Sequence, residues 1–190
     1  MPHVNELIDF VVSAFIMHPT DNSFIMVKHK KLGGWFPPGG HIEPAELPDE
    51  ALIREVFEET GLTQDQFTPM AQFSRDLAAY FSHFFNKTNL FSVEAQEKQK
   101  THQPATLLSP AFIDVHNFPP KPGHRHVAFV YLLRAKTAEI KLADGEHDEI
   151  AWMTHKQAIE VGVLPSLVAY MYASELMIAI AKPPEGKPNV

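Results

Sequence analysis

Glu55, Glu58 and Glu59 are three carboxylates within five residues of sequence. On a helix of 3.6 residues per turn, spacings of three and four bring the side chains within reach of one another. Like charges that close raise each other's pKa or repel unless a cation sits among them. A divalent ion resolves the conflict, and an all-oxygen donor set selects Mg²⁺ or Mn²⁺ over Zn²⁺. Arg54 lies one turn from both Glu50 and Glu58, where it can orient a carboxylate and temper the negative field. A solvated acidic face is the bland alternative, but it explains neither the arginine nor the flanking glycines.

The helix that must carry these groups has legible ends. Pro48 suits a first helical turn, where no amide hydrogen is needed. Asp49 and Glu50 complement the positive end of the dipole, and Gly61 stands where a left-handed terminating residue is wanted. The predicted helix runs over residues 48–60, with Leu52, Ile53, Val56, Phe57 and Thr60 as its packing face. Upstream, residues 35–40 (WFPPGG) form an extended arm into a Gly-Gly turn, whose backbone can approach a metal or phosphate closely. This arm makes Gly40 a candidate metal ligand, through its carbonyl, and makes Trp35, Gly39 and His41 candidates for substrate contact.

The stretch 40–62, GHIEPAELPDEALIREVFEETGL, fixes Gly40, Glu46, Arg54, Glu55, Val56, Glu58, Glu59, Gly61 and Leu62. With residue frequencies of about 6% each, so many fixed positions coincide by chance on the order of 10⁻⁹ per start position. The stretch resembles the complete Nudix box, and Pro38-Gly39-Gly40 is similar to the usual approach to it. The resemblance implies an α/β fold of Nudix type, a mixed β-sheet packed between helices as an α/β/α sandwich. It also implies hydrolysis of a nucleoside diphosphate linked to another moiety, with Mg²⁺ or Mn²⁺ held by Glu55, Glu58 and Glu59. Gly39 or Gly40 would add a backbone carbonyl to that ligand set. The base in such enzymes varies, and either a box glutamate or Glu146, six residues ahead of Trp152, fits; Glu149 is second choice. Arg54, Glu58, Glu59 and Glu146 are therefore the candidate catalytic residues. The chain departs from the common pattern at Leu47, where a capping Ser or Thr is usual; its loss forgoes about 1 kcal/mol and leaves the ligands intact.

Composition bounds the rest. A chain of 190 residues with 45% hydrophobic content can bury its core without staples. No cysteine is present, which excludes a thiolate site or nucleophile and disfavours an isopentenyl diphosphate isomerase, whose chemistry relies on one. A net charge of −7 disfavours a nucleic-acid polymer as partner. No segment reaches the roughly 20 apolar residues of a membrane span, and no signal sequence is evident, so the expected location is the cytoplasm. The expected partner is a small phosphorylated substrate, with homodimer formation left open. A Nudix-derived binding or regulatory module without turnover is the alternative function, disfavoured because every box acid is present.

In chain order, residues 7–17 and 23–28 read as strands of a hairpin. Lys28, Lys30 and Lys31 are candidates for attracting phosphate. Residues 63–104 read as an insertion, with a helix over 74–86 and a polar loop of the kind that forms lids. Strands follow within 105–117 and at 126–135. His124 and His126 share a face; lacking a matched third ligand in sequence, the pair is assigned a surface or substrate-contacting role rather than a zinc site, and His126 joins the substrate-binding candidates. A strand over 149–153 and a helix over 165–181, with Leu167, Val168, Met171, Leu176 and Ile180 along it, complete a single domain of residues 1–182. Residues 183–190 form a Pro-rich tail expected to be disordered.

Overall fold

The computed structural model describes residues 7–70, 108–142 and 147–181, the last four of these as backbone only. Strand β1 (Ile8–Met17) is apolar on both faces because it lies in the middle of the sheet. One edge of β1 pairs in parallel with β7 (Arg125–Ala135) along its whole length, from Ile8 opposite Arg125 to Met17 opposite Arg134. Its other edge takes β4 (Gly39–His41) at Val11–Ser13 and the start of β2 (Phe24–His29) at Met17. Outside β2 lie β3 (Trp35–Phe36) and β8 (His147–Met153); outside β7 lie β5 (Phe67–Pro69) and β6 (Phe112–Asn117). Among the described residues the sheet has eight strands and is mixed, with β1 and β7 as its parallel centre.

Alternation along these strands builds two cores. Val12, Ala14, Ile16, Ile25, Tyr131 and Leu133 pack against α1 (Pro48–Thr60) through Ala51, Leu52 and Val56. Val11, Phe15, Met17, Phe24, Met26, Val130 and Leu132 pack on the opposite face, against α2 (His155–Glu160) and α3 (Pro165–Ala181) through Ala158, Val168 and Met171. The result is the expected α/β/α sandwich with a mixed sheet.

The ends of α1 follow the sequence reading. Pro48 occupies the first turn, and Gly61 closes the helix at φ 71° with its N–H donating to the Phe57 carbonyl at 3.0 Å. Leu47 caps nothing with its side chain; Glu50 compensates by accepting from the Leu47 N–H at 2.9 Å.

Several expectations are corrected. The packing face of α1 is rotated: Phe57 is 53% exposed, whereas Glu55 is buried. Gly40 leaves room under the helix that the Glu55 carboxyl fills, so the sheet-facing row runs through positions 51, 52, 55, 56 and 60. Leu176 of α3 is exposed, because the buried row turns through Val168, Met171 and Ser174. Residues 64–69, placed in the insertion, form a short 3₁₀ turn and then β5, which pairs with β7. The helix expected over 74–86, the rest of the insertion and the tail lie outside the described residues.

Gly39 is the position where the backbone tolerates least. Its φ is +154°, and a Cβ there would collide with the Val12 carbonyl of β1. Gly39→Ala is expected to cost about 3 kcal/mol, a fall of roughly 10 °C in melting temperature for a domain of this size. Differential scanning calorimetry checks it; an unchanged melting temperature would show that β4 can move away from β1 freely.

Candidate active site

The arm and the helix meet at the middle of β1. Ala14 N–H donates to the Pro38 carbonyl at 2.7 Å, and Gly39, Gly40 and His41 then pair with Ser13, Val12 and Val11. The expected Gly-Gly turn is thus a strand, and this pairing sets Gly39 and Gly40 directly beneath α1. A Cβ on Gly40 would overlap the Glu55 carboxyl, so glycine at 40 is what admits the glutamate. The Gly39 N–H donates to Glu59 Oε2 at 3.0 Å.

Arg54 organises the acids. Its Nε and Nη2 donate to the two oxygens of Glu46 at 2.8 and 3.0 Å, a fork that suits the planar guanidinium. Its Nη1 donates to Glu55 at 2.7 Å and to Glu58 at 3.2 Å, and Nη2 also reaches the His41 carbonyl at 3.0 Å. The expected partnership of Arg54 with Glu50 is therefore corrected: Glu50 is engaged at the helix start, and Glu46, in the loop before it, takes the guanidinium. The Arg54 hydrogen bond holds the Glu46 carboxyl below its usual range. Burial pushes Glu55 above it, against the pull of Arg54.

The three box glutamates differ in setting. Glu55 is buried, Glu59 is nearly so with 12% of its side chain exposed, and Glu58 is half exposed. All three are oxygen donors on one side of α1, and the space that a Cβ would occupy at Gly40 is filled by carboxylate. This donor set fits a hard divalent cation such as Mg²⁺ or Mn²⁺.

A residue that the sequence reading missed completes the cluster. His147 Nε2 lies 3.1 Å from Glu59 Oε1 and is buried. The β2–β8 ladder shifts register between Lys28 and His29, opposite Glu149 and His147, and such an irregularity re-aims side chains. The signal in sequence was the neighbourhood of Glu146, which itself lies outside the described residues. Glu149 is directed elsewhere: it pairs with Lys28 at 2.6 Å on the exposed edge. Lys28, a phosphate-attracting candidate, is thereby paired with a carboxylate, and Lys30 approaches Asp148 at 4.0 Å.

The substrate-contact candidates separate. Trp35 is partly buried against the α3-side core, with Lys28 Nζ 5.9 Å from its ring centre. His41 lines an open cleft of about 340 Å³ together with Phe10, Ile42, Glu43, Glu46 and Phe129, next to the Arg54 network. The surface assignment of His124 and His126 is overturned, since they are 1% and 7% exposed. The strand register that buries them also brings up the third group missing from the sequence reading, Asp9, opposite His126. His126 lies near His41, with ring centres 5.2 Å apart.

The sequence profile of the NUDIX domain matches residues 9–120, more than half of the chain. Among curated proteins, the chain is 44% identical over 43 residues to a mouse bis(5'-nucleosyl)-tetraphosphatase (asymmetrical) and 46% identical over 37 residues to a putative 8-oxo-dGTP diphosphatase of Bacillus subtilis. Those stretches cover 23% and 20% of this chain, and only 29% and 25% of the relatives. Among solved structures, a NUDIX family hydrolase from Clostridium perfringens superposes with a TM-score of 0.62 at 24% identity, over 92% of this chain and 99% of that one. A C. elegans Ap4A hydrolase in a binary complex gives 0.62 at 16% identity, over 90% and 98%. These superpositions establish a shared fold, and with the profile match they show that this chain belongs to the NUDIX domain family.

Proposed function

We propose that this chain is a pyrophosphohydrolase that cleaves a phosphoanhydride bond in a nucleoside diphosphate linked to a further moiety, and that Glu55, Glu58 and Glu59 hold its divalent cation. The observation that carries the reading is the Glu55 carboxyl seated over Gly40 while Arg54 draws Glu46, Glu55 and Glu58 together. A solvated acidic face has no need of a glycine beneath it or of a guanidinium fork. The mouse and Bacillus relatives are named for nucleoside polyphosphate substrates, which supports a nucleotide derivative here.

In the reaction, a water oxygen forms a bond to phosphorus, the bridging P–O bond breaks, and a carboxylate accepts the water's proton. Mg²⁺ or Mn²⁺ bound among the glutamates would neutralise phosphate oxygens and acidify that water. Glu59 is fixed at both oxygens, by the Gly39 N–H and by His147. Its orientation is thus set before substrate arrives. Glu58, tethered only at its i−4 neighbour Arg54 among the described contacts, is free to turn toward the phosphates. Arg54 acts as a positioning residue, since its donors are spent on carboxylates and the His41 carbonyl. Glu146 retains its candidacy as base beside His147, and the cleft beside His41 is the candidate site for the rest of the substrate.

A phosphate-release screen over nucleotide sugars, ADP-ribose, dinucleotide polyphosphates and oxidised nucleoside triphosphates, with Mg²⁺ and Mn²⁺, tests the activity; no turnover on any of them points to a binding module. On the best substrate, Glu58→Gln should lower kcat by at least ~10²-fold with little change in melting temperature, as its side chain is half exposed. Retained turnover in that variant would remove Glu58 from the ligand set. His147→Ala, which frees one oxygen of Glu59, should lower kcat roughly 10- to 100-fold with KM little changed; a change confined to KM would place His147 against substrate instead. Finally, Mg²⁺ or Mn²⁺ should stabilise the fold by RT ln(1 + [L]/Kd), about 2.7 kcal/mol at a hundredfold excess over Kd. Replacing Glu55, Glu58 and Glu59 together by glutamine should abolish the shift in a thermal melt, and a wild-type melt indifferent to millimolar cation would sink the metal assignment.

A further inference from the structure

On the other face of the sheet from α1 lies a second group of metal-ligating side chains that the proposed reaction does not use. Asp9 of β1, His124 and His126 each turn a ligand atom inward, and these atoms lie within 4.8 Å of one another. All three residues are buried, with Asp9 and His124 only 1% exposed. Four chain segments meet here. The parallel β1–β7 register sets His126 beside Asp9, the β1–β4 register sets His41 opposite Val11, and the turn before β7 presents His124, closed by Phe118 N–H to the His124 carbonyl at 2.9 Å. Two imidazoles aim at one oxygen: His124 Nε2 is 3.2 Å and His41 Nε2 3.4 Å from Asp9 Oδ2. His126 lies against both, with ring centres 5.3 and 5.2 Å away, and Phe118 stacks on its outer face at 4.7 Å.

We propose that Asp9, His124 and His126, joined by His41, form a binding site for a Zn²⁺-class transition-metal ion, separate from the glutamate site. Zn–ligand bonds of about 2.0–2.1 Å in a tetrahedron put the donor atoms about 3.3 Å apart; Asp9 Oδ2 is already so spaced from His124 and from His41, the mutually close donors being those of Asp9, His124 and His126, which His41 approaches through Asp9. Three imidazoles and one carboxylate suit Zn²⁺, whereas Mg²⁺ requires oxygen. A simple ion pair accounts for less. An ion pair needs one histidine, whereas three imidazoles gather around this one carboxylate. Asp9 and His41 also line the open cleft, which gives an ion a route in. The site ties β1, β4 and β7 together one residue from Gly40, so its occupancy stiffens the strand beneath Glu55.

The test uses the untagged full chain, stripped with a chelator, dialysed, and held in excess Mg²⁺ to occupy the carboxylates. Calorimetric titration with Zn²⁺ should show one tight equivalent, and Co²⁺ in its place should give the intense visible bands of a tetrahedral site. His124→Gln and His126→Gln should weaken Zn²⁺ binding by at least about tenfold. His41→Gln, at the partly exposed rim, should do the same and serves if the buried variants fail to fold. The Glu55, Glu58 and Glu59 triple glutamine variant should keep the Zn²⁺ equivalent. The proposal is overturned if the wild-type chain takes up no tight Zn²⁺, if the histidine variants bind as the wild type does, or if the triple glutamine variant loses the ion.

Discussion

The Arg54 guanidinium is the interaction on which the site depends. It spans the loop residue Glu46, the helix residues Glu55 and Glu58, and the carbonyl of His41 on β4. Without such a cation, carboxylates at this spacing would splay apart. With it, α1 can set one acid inward over Gly40, leave one half exposed, and give a third to the Gly39 amide. The same group also locks the loop to the helix start, where Leu47 offers no side-chain cap. Packing of α1 through Leu52 and Val56 fixes its height above the sheet, and Arg54 fixes what its polar side does.

The two faces of the sheet present different chemistry. Toward α1 the groups are carboxylates with one arginine and His147, hard donors for a hard cation. Beyond the end of the α3-side core they are imidazoles around Asp9. Both sets are anchored on β4, three residues long, whose glycines serve one and whose His41 serves the other. The alternation of side chains along a strand separates two sites that are adjacent in sequence.

The stretch 40–62 was legible because its chemistry is local. Helix ends and acid spacing act over a few residues, and the α1 boundaries followed from them, whereas the sandwich was implied by the resemblance to the Nudix box, and the Gly-Gly pair expected as a turn lies in strand β4. What stayed hidden depends on register. Phe57 reads as apolar, yet Glu55 takes the sheet-facing position because the partner strand offers a glycine there. His147 reaches Glu59 only through the irregular β2–β8 pairing. Asp9 and His126 lie more than a hundred residues apart and become neighbours by the parallel alignment of β1 with β7, which no spacing in the chain announces.

That parallel alignment also governs how the molecule can form. The β2, β3, β4 and α1 segments lie close along the chain and can associate early, since short loops cost little closure entropy. β1 instead finds its long partner in β7, after everything between them has been made. Contacts of such separation slow folding, and until β7 arrives the apolar edge of β1 is open to wrong partners. The Arg54 contacts with Glu46, Glu55 and Glu58 can therefore form before the sheet is complete, whereas His147 reaches Glu59, and the imidazoles reach Asp9, only after the late strands β8 and β7 are in register, so both groups are finished by the last strands to arrive.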